Sequence, residues 1–312
     1  MRLLLAALVV LFAMPTAYAF EPKVLESVVS LLPKWPGYER GGVGRVPPGT
    51  APEGSAVAIR NQGYLVTARH VVAKAVDIRA RLPDGRIVPA HLIAGDPATD
   101  IAVLRIGPDL PVLPQFATAI LGEPVCAVGN QFGLDLSVTC GVVSAVGRSN
   151  TGFNPVEDFI QTDAALNPGS SGGALVDNQG RLIGMLSAIF TKGSDANIGV
   201  NFAISATLIN RVVEDLIAHG KVQEASIGLQ AEVLTLDERL QHTGLRVIAA
   251  TGPSEVAGVK AGDVLLAIDD RRLVHPKALR AAVFLKRPGD TVSLSIIRAG
   301  EDKQVEVRLV GR

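Results

Sequence analysis

The chain has 312 residues, of which 48% are apolar, 19% charged and only 4% aromatic. This composition excludes a disordered or fibrous chain and is enough for two globular domains, each with its own core. Lys plus Arg and Asp plus Glu each number 30, so the formal net charge is +0. The sequence therefore lacks the basic excess that favours nucleic acid or an anionic membrane as a partner.

The first 19 residues are typical of a secretory signal peptide. Arg2 precedes the apolar run LLLAALVVLFAM, and Ala17 and Ala19 form a small-residue cleavage motif. The alternative is an uncleaved anchor, but the run is about a dozen residues long, short of the roughly 20 that span a bilayer. We expect cleavage after Ala19, no stable transmembrane anchor, and export to an oxidising compartment such as the periplasm.

Residues 20–54 are interpreted as an N-terminal segment followed by an exposed loop rich in Pro and Gly. From Ser55 to about Ala203, short apolar runs alternate with Gly, Pro, Asn and Asp. Such spacing predicts an antiparallel β architecture, either a sandwich or a barrel.

The two cysteines lie in two of these strand-like runs. Cys126 and Cys140 flank the turn-prone stretch NQFGLD, so the two strands are candidates for a hairpin. A disulfide is possible if the register brings the two Cα atoms within roughly 7 Å. The alternative, two small residues buried in a sheet, is equally compatible with the sequence.

A predicted helix separates two domains. In SATLINRVVEDLIAHG, apolar residues recur on one face and Gly220 is a stop signal. We place the first domain at residues 55–223. A smaller unit at 224–312 contains further strand-like runs and a second predicted helix, HPKALRAAVFLK.

Residues 167–175, NPGSSGGAL, contain a candidate nucleophile. A serine hydroxyl needs a base, a group that orients the base, and donors for the oxyanion that forms. Ser171 is the better candidate than Ser170, because the following Gly172 and Gly173 allow a tight turn and close approach of substrate. The backbone N–H groups of Gly169 and Ser171 are the candidate oxyanion donors.

Histidine is the residue type for proton transfer near neutral pH, and His70 follows the apolar run GYLVTA, where a short TAR turn would expose it. Asp100, which directly precedes the run IAVL, is preferred over Asp96 as the orienting carboxylate. The chain order His, Asp, Ser is that of chymotrypsin-like barrels. Four other histidines are less well placed, namely His91, His219, His242 and His275.

Several motifs together resemble the HtrA/Deg family of trypsin-like serine proteases. They are GYLVTARHVV, DPATDIAVLRI, AVGNQFGL, SVTCGVVSAVGR, FIQTDAALNPGSSGGALVD and GRLIGMLSAI. The resemblance implies a mainly β fold, with a double barrel of six strands each and a C-terminal PDZ domain. It assigns His70 as general base, Asp100 as its partner and Ser171 as nucleophile, with Gly169 and Ser171 forming the oxyanion hole.

The resemblance also implies further site residues. Leu166 and Ile189 match the specificity pocket, and two apolar walls favour small aliphatic side chains such as Val or Ala. Arg148 matches a residue that relays activation to the oxyanion loop. In the smaller unit, SIGLQ resembles a PDZ carboxylate-binding loop with backbone donors in residues 227–229, that is Ile227, Gly228 and Leu229. The alternative is that this unit is only a structural cap.

Three departures from the family pattern are Ser170 in place of Asn, NQFG in place of NPFG, and Ser226 before the carboxylate-binding loop, where a larger residue is common. None removes a catalytic group, but Ser226 puts the strength of ligand binding in doubt. One PDZ unit and a short N-terminal loop suggest a homotrimer.

The expected function is that of an exported serine endopeptidase acting on unfolded proteins or peptides, with C-terminal peptides at the PDZ domain and no metal or organic cofactor. The alternative is a catalytically idle chaperone or peptide-binding scaffold. A further possibility is a protease that is silent until a peptide occupies the PDZ site.

Overall fold

A computed structural model describes residues 20–37, 53–113, 118–189 and 198–312. The predicted signal peptide (1–19) lies outside the described residues, as do residues 38–52 of the N-terminal loop and the side chain of Ile189. Across the described ranges the chain is mainly β, with two closed barrels and a smaller sheet, which confirms the predicted fold class. Within the same ranges, every helix is too short or too polar to cross a membrane.

The first barrel contains six antiparallel strands in the order β1-β2-β3-β6-β5-β4. A 3₁₀ helix (Pro22–Ser27) precedes it. Strands β2 and β6 are almost wholly buried, because neighbouring elements cover the face that does not fill the barrel. The strands are β1 (Val28–Lys34), β2 (Gly54–Arg60), β3 (Tyr64–Ala68), β4 (Asp77–Arg81), β5 (Ile87–Asp96) and β6 (Ile101–Ile106).

The second barrel repeats this architecture in the order β10-β11-β12-β9-β8-β7. Cys126 and Cys140 are direct partners in the ladder between β7 and β8, with Cα atoms 4.1 Å apart, and form a disulfide. The strands are β7 (Pro124–Gly129), β8 (Ser137–Arg148), β9 (Phe159–Thr162), β10 (Ala174–Asp177), β11 (Leu182–Ile189) and β12 (Asn201–Ser205). A 3₁₀ turn (Gln131–Gly133) connects β7 to β8.

Two helices belong to the barrels. Helix α1 (Arg69–Val72) is a single turn after β3, and α2 (Ala206–His219) is the predicted long helix. The hydroxyl of Ser205 accepts a hydrogen bond from the N–H of Leu208 at 3.2 Å, and Gly220 ends the helix with a φ of 71°. Helix α2 packs against strands of both barrels and leads into the smaller unit.

The smaller unit is a sheet flanked by three helices. Its main sheet has the order β14-β15-β16-β18-β19, so β14 is an edge strand. The predicted second helix is confirmed as α5, whereas the predicted boundary at residues 223 and 224 stays a prediction. The elements are β13 (Ala225–Ser226), β14 (Leu229–Val233), α3 (Leu236–Arg239), β15 (Leu245–Ala250), α4 (Pro253–Val256), β16 (Val264–Ile268), β17 (Arg271–Arg272), α5 (Pro276–Phe284), β18 (Thr291–Arg298), β19 (Glu301–Arg308) and β20 (Val310–Gly311).

Ion pairs connect this unit to the second barrel and to α2. Arg271 pairs with Asp158 at 2.5 Å, and Arg287 pairs with Glu214 at 2.6 Å. Asp215 is buried beside Arg211, and its carboxylate accepts the N–H of Gln223 at 2.7 Å. Burial raises the pKa of Asp215, but these partners outweigh it, so the pKa lies below its ordinary value.

Candidate active site

The first barrel presents a histidine and a carboxylate side by side. His70 lies in α1, a helical turn rather than the predicted TAR turn, and Asp100 directly precedes β6 with a φ of 62°. The His70 Nδ1 is 2.6 Å from Asp100 Oδ2, and the His70 backbone N–H donates to Oδ1 at 2.8 Å. A carboxylate only accepts hydrogen bonds, so Nδ1 carries the proton and Nε2 is left as the basic nitrogen.

The neighbouring carboxylate has a different part in the fold. Asp96 accepts hydrogen bonds from the backbone N–H and the hydroxyl of Thr99, at 2.9 and 2.6 Å. It therefore holds the turn that leads to Asp100 and does not contact the imidazole. The other histidines lie on an exposed strand position, at the end of α2, after α3 and at the start of α5, namely His91, His219, His242 and His275.

The second barrel presents Ser171 on a loop between β9 and β10, residues 167–173, which we term the nucleophile loop after the predicted role of Ser171. This loop touches the end of β3: a Cβ atom placed on Gly172 would lie 3.0 Å from the amide nitrogen of Ala68, two residues before His70. The Ser171 hydroxyl donates to the carbonyl oxygen of Ser187 at 3.3 Å. The neighbouring Ser170 is buried and donates instead to the carbonyl of Asn167 at 2.7 Å.

Two amides of the nucleophile loop have no acceptor in the described part of the chain. The Pro168 carbonyl accepts the N–H of Phe132 at 2.6 Å, and the Ser170 carbonyl accepts the N–H of Gly173 at 2.9 Å. In a planar trans peptide the next N–H points the opposite way. The N–H groups of Gly169 and Ser171 are thereby turned away from these contacts, and neither has an acceptor within the described part of the chain.

The other predicted residues of the protease domain are less clearly placed. Leu166 is 1% exposed and packs in the core of the second barrel. Ile189 is the last residue of β11, and its side chain is outside the described residues. Arg148 is exposed at the end of β8, where its guanidinium makes neither a hydrogen bond nor an ion pair within the described ranges. The pocket and relay roles stay predictions.

A loop at residues 149–157 packs against the turn before Asp100. Asn154 donates its side-chain N–H to the Thr99 carbonyl at 3.2 Å. The buried Glu157 accepts three backbone N–H bonds from this loop, including that of Asn154 at 3.0 Å. Burial raises the pKa of Glu157, but these amides and the charge of Lys277 on α5 outweigh it, so the pKa lies below its ordinary value.

Further amides without an acceptor among the described residues lie at residues 226–229, which we term the carboxylate-binding loop after its predicted role. The Ile227 carbonyl accepts the Ser254 hydroxyl at 2.6 Å, and the Gly228 carbonyl accepts the N–H of Thr251 at 2.8 Å. The N–H groups of Gly228 and Leu229 therefore point to the opposite, open side. A Cβ atom at Gly228 would collide with the carbonyl of Thr251, and its φ is 71°, so glycine is required here.

A groove of about 630 Å³ runs from this loop between edge strand β14 and helix α5. Residues of α5 at helical spacing line it, including Leu279 and Val283, opposite Ile227 and Leu229. An open strand edge beside apolar pockets is the arrangement by which a peptide adds to a sheet.

Two six-stranded barrels, the first with the His70–Asp100 pair and the second with the Ser171 loop, followed by a PDZ-like unit, define a trypsin-like serine protease fold with a peptide-binding module. Family comparisons agree with this class. Residues 54–185 match the trypsin-like peptidase domain, and residues 225–309 match the PDZ domain.

The chain belongs to the HtrA/DegP-type family of these proteases. It is 35% identical to the solved HtrA-type protease AlgW with tripeptide, with a TM-score of 0.72 over 95% of this chain and 97% of that one. It is also similar to the serine endoprotease from Yersinia pestis, with 31% identity and a TM-score of 0.60 over 96% and 99% of the two chains.

Curated relatives carry the name probable periplasmic serine endoprotease DegP-like. Those from Chlamydia trachomatis and Bartonella henselae are each 36% identical to this chain over 82% of its length. The chain covers 54% and 52% of these two proteins, so it spans about half the length of the curated relatives it matches.

Sequence reasoning does not single out three residues near the site. Ser55 is a polar residue at the start of an apolar strand, Phe132 adopts a φ of 57° that favours glycine, and Asn154 contacts the turn before Asp100. For Ser55, the serine within the apolar run GSAVAIR was a signal that could have been used, because a buried hydroxyl requires hydrogen-bond partners.

Proposed function

We propose that the protein is an exported serine endopeptidase that hydrolyses unfolded or misfolded proteins in the periplasm. The observation that carries the proposal is the hydrogen-bonded pair of His70 and Asp100 beside a loop that holds Ser171 and two free amides. The relatives named probable periplasmic serine endoprotease DegP-like support both the activity and the compartment.

In the proposed reaction the Ser171 hydroxyl rotates from the Ser187 carbonyl towards Nε2 of His70. Its oxygen attacks the carbonyl carbon of the scissile amide while its proton passes to Nε2. The amides of Gly169 and Ser171 donate to the oxyanion of the tetrahedral intermediate. The imidazolium, stabilised by Asp100, then protonates the leaving amine, and water hydrolyses the acyl-enzyme with His70 again as base.

We further propose cleavage after small aliphatic residues. Leu166 and Ile189 are both apolar, and an apolar wall leaves a buried charge on the substrate uncompensated. Mass spectrometry of the peptides released from an unfolded substrate tests this, because the residue before each cut reports the pocket. A majority of cuts after Lys, Arg, Asp or Glu contradicts it.

The PDZ unit is proposed to bind the C-terminal end of a peptide through the amides of the carboxylate-binding loop and to modulate the protease. The open edge of β14 and the groove lined by α5 support this. Arg148 as relay and a homotrimeric assembly stay predictions, and the proposed reaction uses no metal or organic cofactor.

The replacement Ser171→Ala tests the proposed activity. The variant lacks the attacking oxygen, so we expect it to fold like the wild type and to leave casein intact. Ser170→Ala is the matched control, because it removes a neighbouring hydroxyl that faces away from the site. Undiminished hydrolysis by Ser171→Ala removes the proposed nucleophile.

A second candidate function is a catalytically idle peptide-binding scaffold. The hydrogen bond from Ser171 to Ser187 favours it, because the hydroxyl is directed to a carbonyl and not to the base. Adding C-terminal peptides to the casein assay separates the idle protein from an inducible protease. A rate that rises with peptide indicates induction, whereas no hydrolysis with or without peptide favours the scaffold.

A further inference from the structure

A serine of the first barrel holds the nucleophile loop of the second. Ser55, on β2, is 0% exposed and uses every hydrogen-bonding group it has. Its N–H donates to the Ser171 carbonyl at 2.8 Å, and its hydroxyl donates to the Gly169 carbonyl at 2.9 Å. Its own carbonyl accepts the hydroxyl of Thr67, at the end of β3, at 2.7 Å. Ser55 therefore makes hydrogen bonds to the nucleophile loop at two places, the carbonyls of Gly169 and Ser171.

The Ser55 hydroxyl also contacts the segment at residues 130–132, which makes a further hydrogen bond to the nucleophile loop. The N–H of Asn130 donates to Ser55 Oγ at 2.8 Å. Two residues further on, the N–H of Phe132 donates to the Pro168 carbonyl at 2.6 Å, the contact that turns the Gly169 amide away from Phe132. One buried oxygen thus contacts both the nucleophile loop and the strand end that positions it.

These contacts fix the peptide planes on either side of Ser171. Ser55 holds the carbonyls of residues 169 and 171, while Phe132 and Gly173 hold those of residues 168 and 170. The amides that remain free are those of Gly169 and Ser171. Without the Ser55 hydroxyl, the peptide plane between residues 169 and 170 could rotate. The N–H groups of Gly169 and Ser171 would then no longer point to the same position.

We propose that Ser55 is a positioning residue for the oxyanion hole, acting through the backbone of Gly169 and Ser171. The inference rests on the proposed hydrolytic function. Ser55 does not touch substrate. Its hydroxyl keeps two amide donors converged before the charge develops, and such preorganised donors need no rearrangement during the reaction.

The test compares Ser55→Ala with a matched variant. Thr162 is also 0% exposed, and its hydroxyl donates to the Val142 carbonyl at 2.7 Å and accepts the N–H of Ala164 at 3.1 Å. Thr162→Val removes an equally buried hydroxyl with the same pattern of contacts, but one away from the nucleophile loop. The assay measures kcat and KM on a quenched fluorescent peptide, the inhibition constant of a peptide boronic acid, and the thermal midpoint.

For Ser55→Ala we expect kcat to fall about 10- to 100-fold with little change in KM. The inhibition constant of the boronic acid rises by a similar factor, because its tetrahedral adduct uses the same amides. The pH at half-maximal kcat/KM stays that of the wild type, since His70 and Asp100 are untouched. Thr162→Val keeps kcat within about threefold of the wild type.

Three outcomes overturn the inference. One is a kcat for Ser55→Ala that matches Thr162→Val, and another is a lowered thermal midpoint with unchanged boronic acid affinity, which indicates a purely structural role. The third is a fall in kcat that Ser55→Cys, which keeps a weaker donor, does not partly restore. Hydrolysis that survives Ser171→Ala instead contradicts the proposed function itself, so the two failures are distinguishable.

Discussion

The nucleophile loop and the carboxylate-binding loop are both held by hydrogen bonds to their backbone carbonyls, but the residues that provide these bonds differ. Each exposes two backbone amides by fixing the preceding carbonyls on the far side of the peptide planes. In the carboxylate-binding loop the supports are Thr251, 23 residues from Gly228, and Ser254, 27 residues from Ile227, both in the smaller unit. In the nucleophile loop the preceding carbonyls are held by Phe132 and Gly173 of the same barrel, and Ser55 of the other barrel, 114 residues from Gly169, additionally holds the Gly169 carbonyl.

In the proposed function the two loops bind different anions, which accounts for this difference. A carboxylate is a stable anion, and a loop supported within its own domain is sufficient to bind it. The oxyanion exists only during the reaction, so its donors must be aligned with a base carried by another barrel. In the proposed mechanism, supporting the nucleophile loop from the barrel that carries His70 holds the amides and the hydroxyl in a fixed position relative to the imidazole.

The largest expected effect is on catalysis and not on peptide binding at the PDZ unit. Asp100→Asn removes the carboxylate that fixes the proton on His70 Nδ1, so we expect kcat to fall about 10⁴-fold at neutral pH. Peptide binding at the PDZ unit, measured by fluorescence anisotropy, stays unchanged. Asp96→Asn is the control, because Asp96 contacts Thr99 and not the imidazole. Equal losses in the two variants contradict the assignment of Asp100.

The next effect concerns the nucleophile loop alone. Gly169 has a φ of 94°, and a Cβ atom there would collide with the carbonyl of Asn130. We expect Gly169→Ala to lower kcat about 10²- to 10³-fold, because it displaces one oxyanion donor. Gly152→Ala is matched in backbone conformation, since Gly152 also has a φ of 94° but faces open space. If both variants lose activity equally, backbone strain and not donor geometry is responsible.

The corresponding change in the carboxylate-binding loop is Gly228→Ala. The new Cβ atom meets the Thr251 carbonyl, and strain of this kind costs about 1–3 kcal/mol. We expect the Kd of a C-terminal peptide to rise about 10- to 100-fold, with kcat on a short blocked peptide unchanged. Gly220→Ala has the same φ of 71° in open space and serves as control. An unchanged Kd for Gly228→Ala argues against this loop as the anion site.

The smallest expected effect concerns Asp215 on α2, the helix that leads from the barrels into the smaller unit. The pKa of Asp215 is lowered, so its contribution to stability is present above the ordinary Asp pKa of about 3.9 and is lost as the pH falls through the lowered value. We expect Asp215→Asn to cost on the order of 1–2 kcal/mol in urea unfolding at neutral pH. The gap to the wild type should close on acidification below about pH 4. A difference in the free energy of unfolding that does not change with pH contradicts the lowered pKa of Asp215.

Much of the molecule was predictable because its signals are local. Short apolar runs between turn residues predicted an antiparallel β architecture, sandwich or barrel, and the family resemblance implied the two barrels. The periodicity of SATLINRVVEDLIAHG with Gly220 predicted α2. Cys126 and Cys140 lie opposite each other because the hairpin register, left open by the sequence, pairs those two positions.

What escaped prediction depends on contacts between distant segments. The serine in GSAVAIR does not reveal its partners, since they come from residues 67, 130, 169 and 171. His70 lies in a helical turn because Arg69 donates its N–H to the Asp100 carbonyl at 2.8 Å, a contact made only once both strands are in place. The positive φ of Asp100 and Phe132 likewise depends on tertiary contacts that hold both residues.

The most direct test of the central claim is to locate the reactive oxygen. The protein is treated with a fluorophosphonate, digested with trypsin and mapped by mass spectrometry. We expect a single adduct on Ser171 that disappears in His70→Ala and persists in Ser170→Ala. An adduct on Ser170, or no adduct with C-terminal peptide present while a control protease reacts, contradicts the proposed nucleophile.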